Sequence, residues 1–185
     1  MVDLILRLVF LLASSALVWV SRPSLLHPRS HGFYRFLAWE AILAGVLFNL
    51  DGWFDHPFAW YQLISWPLLV VSLCMLIPAL VMLKRAGKQD SQRPGESLLE
   101  FEKTTALITT GIYRTIRHPM YSSLLFLAWG VFFKSPSWLD GLIVLIATLA
   151  LLATARSEES ENLCFFGQAY AEYMQKTKQF IPFVY

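Results

Sequence analysis

Apolar residues run along this chain in long blocks separated by short polar stretches, with none of the strict alternation of half-buried strands. The blocks are Leu4–Val20, Phe36–Leu50, Trp60–Leu83, Met120–Phe133 and Trp138–Ala155. Uninterrupted apolar runs approaching twenty residues predict helices that cross a bilayer. The pattern therefore predicts an all-α fold, a polytopic membrane helical bundle of about five transmembrane helices. The first run has small residues, Ala13 to Ala16, as a signal peptide would. Its acidic leader, Asp3, and the spans that follow favour a membrane helix.

The connections differ in character. Ser21–Arg35 carries Pro23, Pro28 and Gly32, which predict a loop. Asp51–Ala59 is a short acidic turn flanked by Trp53 and Trp60. Lys84–Thr109 is the longest polar connection, and Lys134-Ser135-Pro136 ends the fourth block in a tight turn. Beyond Ala155 comes a polar tail in which Leu163, Phe166, Tyr170 and Tyr173 recur at helical spacing. That amphipathic face is expected to lie on the membrane surface or on the body of the protein. Pro67 and Pro78 fall inside the third block, and Glu40 and Asn49 stand near the two ends of the second.

Composition agrees with the pattern. The chain has 185 residues, 56% hydrophobic and 15% charged, with a mean hydropathy of +0.51. A soluble domain would carry about 25% charged residues. We read residues 1–185 as a single membrane domain. Residues 1–83 form three N-terminal spans, and residues 84–185 a second half with a helical hairpin and the amphipathic tail. Cys74 lies inside an apolar run and Cys164 in the tail, so neither a disulfide nor a metal-ligand spacing is indicated. No nucleic-acid partner and no metal is expected.

Charge sets an orientation. Of the 15 Lys and Arg residues, all except Arg7 and Lys134 fall on one side of a five-span arrangement. The positive-inside rule makes that side cytoplasmic, with the N-terminus outside and the C-terminus in the cytosol.

The candidate chemistry lies at Thr110–Tyr121, where Arg114, Arg117 and His118 precede Pro119. Proline suits the first position of a helix. A helix N-terminus there would favour an anionic group. The turn at Ser135–Ser137 makes the two last spans antiparallel neighbours. His118 stands 18 residues before Pro136 and Glu158 stands 22 after it. At about 1.5 Å per residue, the two reach similar depth. Arg117, His118, Pro119 and Tyr121 should thus face Glu158 and Glu159. One reading is an interfacial ion-pair cluster tying two helices together. The other is a site for a zwitterionic sulfonium such as S-adenosylmethionine. Arg117 or backbone N–H groups would then take its carboxylate, an acid its ammonium or ribose, and Tyr113 or Tyr121 its cationic sulfur.

The same residues carry a resemblance. Gly111-Ile-Tyr-Arg-Thr-Ile-Arg-His-Pro-Met-Tyr121 resembles the G-x-Y-x-x-x-R-H-P-x-Y signature of the isoprenylcysteine carboxyl methyltransferase and phospholipid methyltransferase superfamily. Glu158-Glu159, Phe166-Gly167-x-x-Tyr170-x-x-Tyr173 and Phe180-Ile181-Pro182 resemble its second signature. The resemblance implies an S-adenosylmethionine-dependent integral membrane methyltransferase. Tyr113, Arg117, His118, Pro119, Tyr121, Glu158 and Glu159 would line its cofactor pocket. It implies an apolar or lipidic acceptor reached among membrane lipids, methylated on a carboxylate, amine or thiol. A carboxylate needs no base, whereas an amine or thiol would draw on Glu159 or His118. Two departures stand out. Ser123 occupies a position that is often glycine in the family, and the chain has no G-x-G element, which weakens phospholipid as the acceptor. The alternative is a nicotinamide-dependent membrane reductase resembling sterol reductases, which share an acidic pair and a terminal motif like Pro182-Phe-Val-Tyr185. The intact His118-Pro119-x-Tyr121 and the short chain favour methyl transfer. The spare architecture points to a bacterial inner membrane, with the site facing the cytosol.

Overall fold

The computed structural model describes residues 2–86 and 106–182. Six α-helices account for most of them: α1 (Val2–Leu25), α2 (His31–Phe48), α3 (Trp60–Ala86), α4 (Pro119–Phe132), α5 (Trp138–Phe166) and α6 (Gln168–Lys176). A short 3-10 turn covers Gly111–Arg114. Among the described residues no strand forms; one isolated parallel bridge joins Ile116 to Lys178.

Helix boundaries follow local chemistry. Ser30 caps α2 by accepting a hydrogen bond from the Phe33 N–H at 3.2 Å. Ser137 caps α5 in the same way, accepting from the Asp140 N–H. Pro119 opens α4. Gly167 ends α5 with φ +57, a left-handed turn that glycine adopts without a Cβ penalty.

Helices stand at all five predicted positions. Three are long and apolar enough to cross a membrane: Leu4–Leu25, Trp60–Arg85 and Trp138–Phe166. Helix α4 is apolar but has only 14 residues, about 21 Å of rise against a hydrocarbon core of about 30 Å. α3 runs through Pro67 and Pro78 without interruption.

The expected loop at Ser21–Arg35 is shorter than its Pro and Gly content suggests. α1 continues through Pro23 to Leu25, and α2 begins at His31. His31 and Arg35 are buried in the bundle because each has an aromatic or acidic neighbour there. His31 Nδ1 lies 2.7 Å from Glu161 Oε2, and the Arg35 guanidinium lies over the Trp39 ring. Most of the polar connection Lys84–Thr109 lies outside the described residues, as does the end of the terminal motif.

The helices pack in a chain of neighbours: α1 on α2, α2 on α5, α5 on α4 and α4 on α3. Small residues permit close contact. A Cβ on Gly130 would meet Leu69 at 2.8 Å, and Ala38, Ala147 and Ala155 are fully enclosed. Large apolar side chains on α1, α3 and α5, such as Leu12, Val70 and Leu149, point outward instead. That inversion suits a lipid surround, which replaces the burial a soluble core would supply. One core cluster, with Ala38, Tyr121, Leu151, Ala155 and Phe180, sits directly under the polar end of the α4–α5 pair.

Candidate functional site

The segment before α4 is folded back onto α3. Gly111 has φ +58, a conformation that favours glycine, and a Cβ there would press against the Met82 side chain. The chain then pairs with the C-terminal segment. The Arg117 N–H donates to Lys178 O at 2.8 Å, the His118 N–H to Gln179 O at 3.2 Å, and the Lys178 N–H to Thr115 O at 3.0 Å. Ser122 Oγ donates to His118 O and to Phe180 O. The Tyr173 hydroxyl donates to Tyr113 O at 2.6 Å. Residues 168–181 thus form a strap stitched against residues 113–122.

Beneath the strap the two distant motifs meet. Arg117 Nε donates to Glu159 Oε1 at 2.7 Å. His118 Nε2 lies 3.3 Å from the same oxygen, and His118 Nδ1 lies 3.8 Å from Glu158 Oε2. Both imidazole nitrogens therefore face carboxylates. The His118 ring stacks on Tyr121, with centroids 5.5 Å apart and planes 18° from parallel. The Phe180 ring lies tilted against His118, with centroids 6.3 Å apart. Arg117 makes further bonds through Nη1, which donates to Met174 O and Thr177 O of the strap.

These groups border a cleft of roughly 750 Å³, part of it open to solvent. Tyr113, Arg117, His118, Pro119, Tyr121 and Glu158 all line it. Glu159 does not; its carboxylate lies behind the wall, between Arg117 and His118. The N-terminus of α4 opens beside the cleft, and no side chain caps it. Its dipole favours negative charge at that point.

Sequence reasoning missed some of the lining. Asn162 is there, one helical turn after Glu158, a spacing that puts both on one face of α5. Phe166, Tyr170 and Tyr173 are there too. Of the two expectations for this amphipathic face, packing on the body of the protein holds for α6, whose tyrosines turn inward, although Gly167 breaks the helix between Phe166 and Tyr170. Burial holds both tyrosine hydroxyls well above their ordinary ionisation range, and Glu158 adds to this for Tyr170. Leu83, Leu107 and Ile108 give the cleft an apolar edge.

Glu40 and Asn49 lie elsewhere. Glu40 accepts a hydrogen bond from Ser14 of α1, and Asn49 donates to Gly45 O and to Asp140 at the opposite end of the bundle.

The family model described as phospholipid methyltransferase matches residues 69–172, more than half of the chain. The match spans the Gly111–Tyr121 segment, the acidic pair and Tyr170. No curated protein matches the chain significantly.

Proposed function

Because the chain belongs to the phospholipid methyltransferase family of membrane methyltransferases, we propose that it is an S-adenosylmethionine-dependent methyltransferase acting on an apolar or lipidic acceptor. Its cofactor site is the cleft bordered by Tyr113, His118, Pro119, Tyr121 and Glu158, with residues 84–185 as the cofactor-binding half. The positive-inside rule applied to the basic connections supports a cytosolic position for that cleft.

One observation carries this reading. Arginine, histidine and two acids about forty residues away in sequence converge on one cleft, whose lining includes a carboxylate and an amide. A helix-tying cluster would consume its charges internally. Here Glu158 lines open space, with Asn162 beside it. A carboxylate and an amide suit an ammonium and ribose hydroxyls. The uncapped start of α4 suits a carboxylate. The rings of Tyr113 and Phe166 suit a sulfonium. When bound, S-adenosylmethionine supplies an electrophilic methyl group.

The chain's own task is then alignment, which can account for much of such a reaction's acceleration. It also bears on proton removal. His118 has both nitrogens turned to carboxylates, and Glu159 Oε1 is shared by Arg117 and His118. If the acceptor is an amine or thiol, His118 on the cleft wall is the group that can take its proton. A carboxylate acceptor needs none.

The test is isothermal calorimetry of S-adenosylhomocysteine on the purified protein and on Glu158→Ala, with NADPH titrated in parallel. Wild-type binding that weakens at least about tenfold in the variant is expected, from loss of a charge-assisted hydrogen bond. NADPH binding without S-adenosylhomocysteine binding would replace this reading by the reductase. Labelled-methyl transfer into a lipid extract then identifies the acceptor.

A further inference from the structure

The guanidinium of Arg117 is turned toward protein groups. Nε is spent on Glu159 of α5, and Nη1 on the carbonyls of Met174 and Thr177 in the strap. Its Nη1 also lies 3.4 Å from Thr177 Oγ1. Arg117 thereby links three pieces of chain: the approach to α4, the acidic face of α5 and the strap.

The strap, already stitched to residues 113–122, is tied to α5 as well by this link. It leaves α5 through Gly167, where φ is +57 and a Cβ would meet nothing within 4 Å. That junction is a turn with open surroundings, and beyond it the Phe166 and Tyr170 rings stack across the break. The strap also supplies Tyr170 and Tyr173 to the cleft and sets Phe180 against His118. A displaced strap would therefore remove one wall of the cleft and one support of the histidine together. A planar guanidinium can serve a carboxylate and carbonyls from fixed directions at once, which a lysine ammonium cannot.

We propose that Arg117 is a positioning residue, a latch that holds the C-terminal strap closed over the cleft, and that it acts on the cofactor through the strap and not as its ligand. The proposal rests on the cofactor reading above for its ligand, but on the protein's own geometry for the latch. Linkage supplies a further consequence. If the cofactor binds the strap-closed form, then a bound cofactor must itself favour closure.

The experiment compares full-length wild type with Arg117→Lys and Arg117→Ala in detergent. It follows trypsin cleavage after Lys176 and Lys178 in the strap, with and without saturating S-adenosylhomocysteine. Cleavage after Lys134, at the far end of the bundle, is the internal control. The expected result is cleavage of the strap about tenfold faster or more in Arg117→Ala, from loss of several charge-assisted bonds. Arg117→Lys should fall between, with Lys134 unaffected. Saturating ligand should restore protection in both variants, and ligand affinity should fall in the same order as strap protection. Strap cleavage at the wild-type rate alongside lost affinity would overturn the proposal, since Arg117 would then touch the ligand directly. Equal acceleration at Lys134 in both variants would also overturn it, because Arg117 would then hold the whole fold. A wild type that binds no S-adenosylhomocysteine would defeat the cofactor reading alone, and the ligand-free cleavage pattern would still decide the latch.

Discussion

The two ends of the bundle bury similar chemistry to different effect. At the end away from the cleft, Lys134 is 1% exposed. Its Nζ donates to Gln62 Oε1 at 3.0 Å and lies 3.2 Å from the centre of the Trp66 ring. Gln62 Nε2 in turn reaches the carbonyls of Gly52, Asp55 and Lys134. These donors end on acceptors of the adjoining turns, so the cluster fastens the α2–α3 turn to the α4–α5 turn. At the cleft end, Arg117 and Glu159 are nearly as enclosed, yet Glu158 and Asn162 border open space. Buried charge alone therefore does not mark a site. What distinguishes the cleft end is that an acid and an amide there border open space.

The sharpest way to break this comparison is to remove the shared acid. Glu159→Ala leaves Arg117 and His118 without their common acceptor. Breaking a buried pair from one side costs about 3–5 kcal/mol. We expect melting in detergent to drop and S-adenosylhomocysteine affinity to fall by about a hundredfold or more, since the same pair supports the cleft wall. Unchanged affinity would show that the acid behind the wall is irrelevant to the site.

Lys134→Met tests the other end. It strands Gln62 Oε1, at a cost of about 1–3 kcal/mol. The melting temperature should fall while ligand affinity stays within about twofold, a gap too small for any lost bond. Coupling of both quantities would mean that the two ends are not separable. Gly111→Ala should have a smaller effect, about 1–2 kcal/mol, because a left-handed conformation and a shift of the flexible Met82 side chain are both required.

What the sequence disclosed follows from where each signal is stored. The apolar runs and the Ser135–Ser137 turn are local, so the hairpin and the meeting of His118 with the acids were legible. The pairing of Glu161 with His31 was not, since it spans 130 residues and neither segment announces it. The burial of Gln62 and Lys134 rests on a contact spanning 72 residues that neither segment announces. The partners of Arg117 in the strap are backbone carbonyls, which every residue carries and no motif can record.

The smallest expected effect is in alkali, and it has opposite signs at the two ends. Burial raises Tyr170 and Tyr173 above the ordinary tyrosine value of 10.0, and Glu158 contributes to the rise of Tyr170. The folded chain then keeps protons that the unfolded chain releases, so this stability is fully present below pH 10 and is lost as pH rises beyond it. Near pH 10 the loss is a few tenths of a kcal/mol per tyrosine. Burial lowers Lys134 from the ordinary 10.5. There the unfolded chain holds its proton longer, and stability rises as pH climbs toward that value. Melting curves of Tyr173→Phe and Lys134→Met between pH 9 and 11 separate the two contributions, a spread of about one unit either side of the tyrosine value. The first variant should flatten the alkaline decline and the second should steepen it. In Tyr173→Phe the strap also loses its bond to Tyr113 O, so its tryptic cleavage should rise at neutral pH and change less on going to alkali than in wild type. A strap whose cleavage climbs equally in both proteins would place the alkaline weakness outside α6, and the contrast between the two ends would not extend to protons.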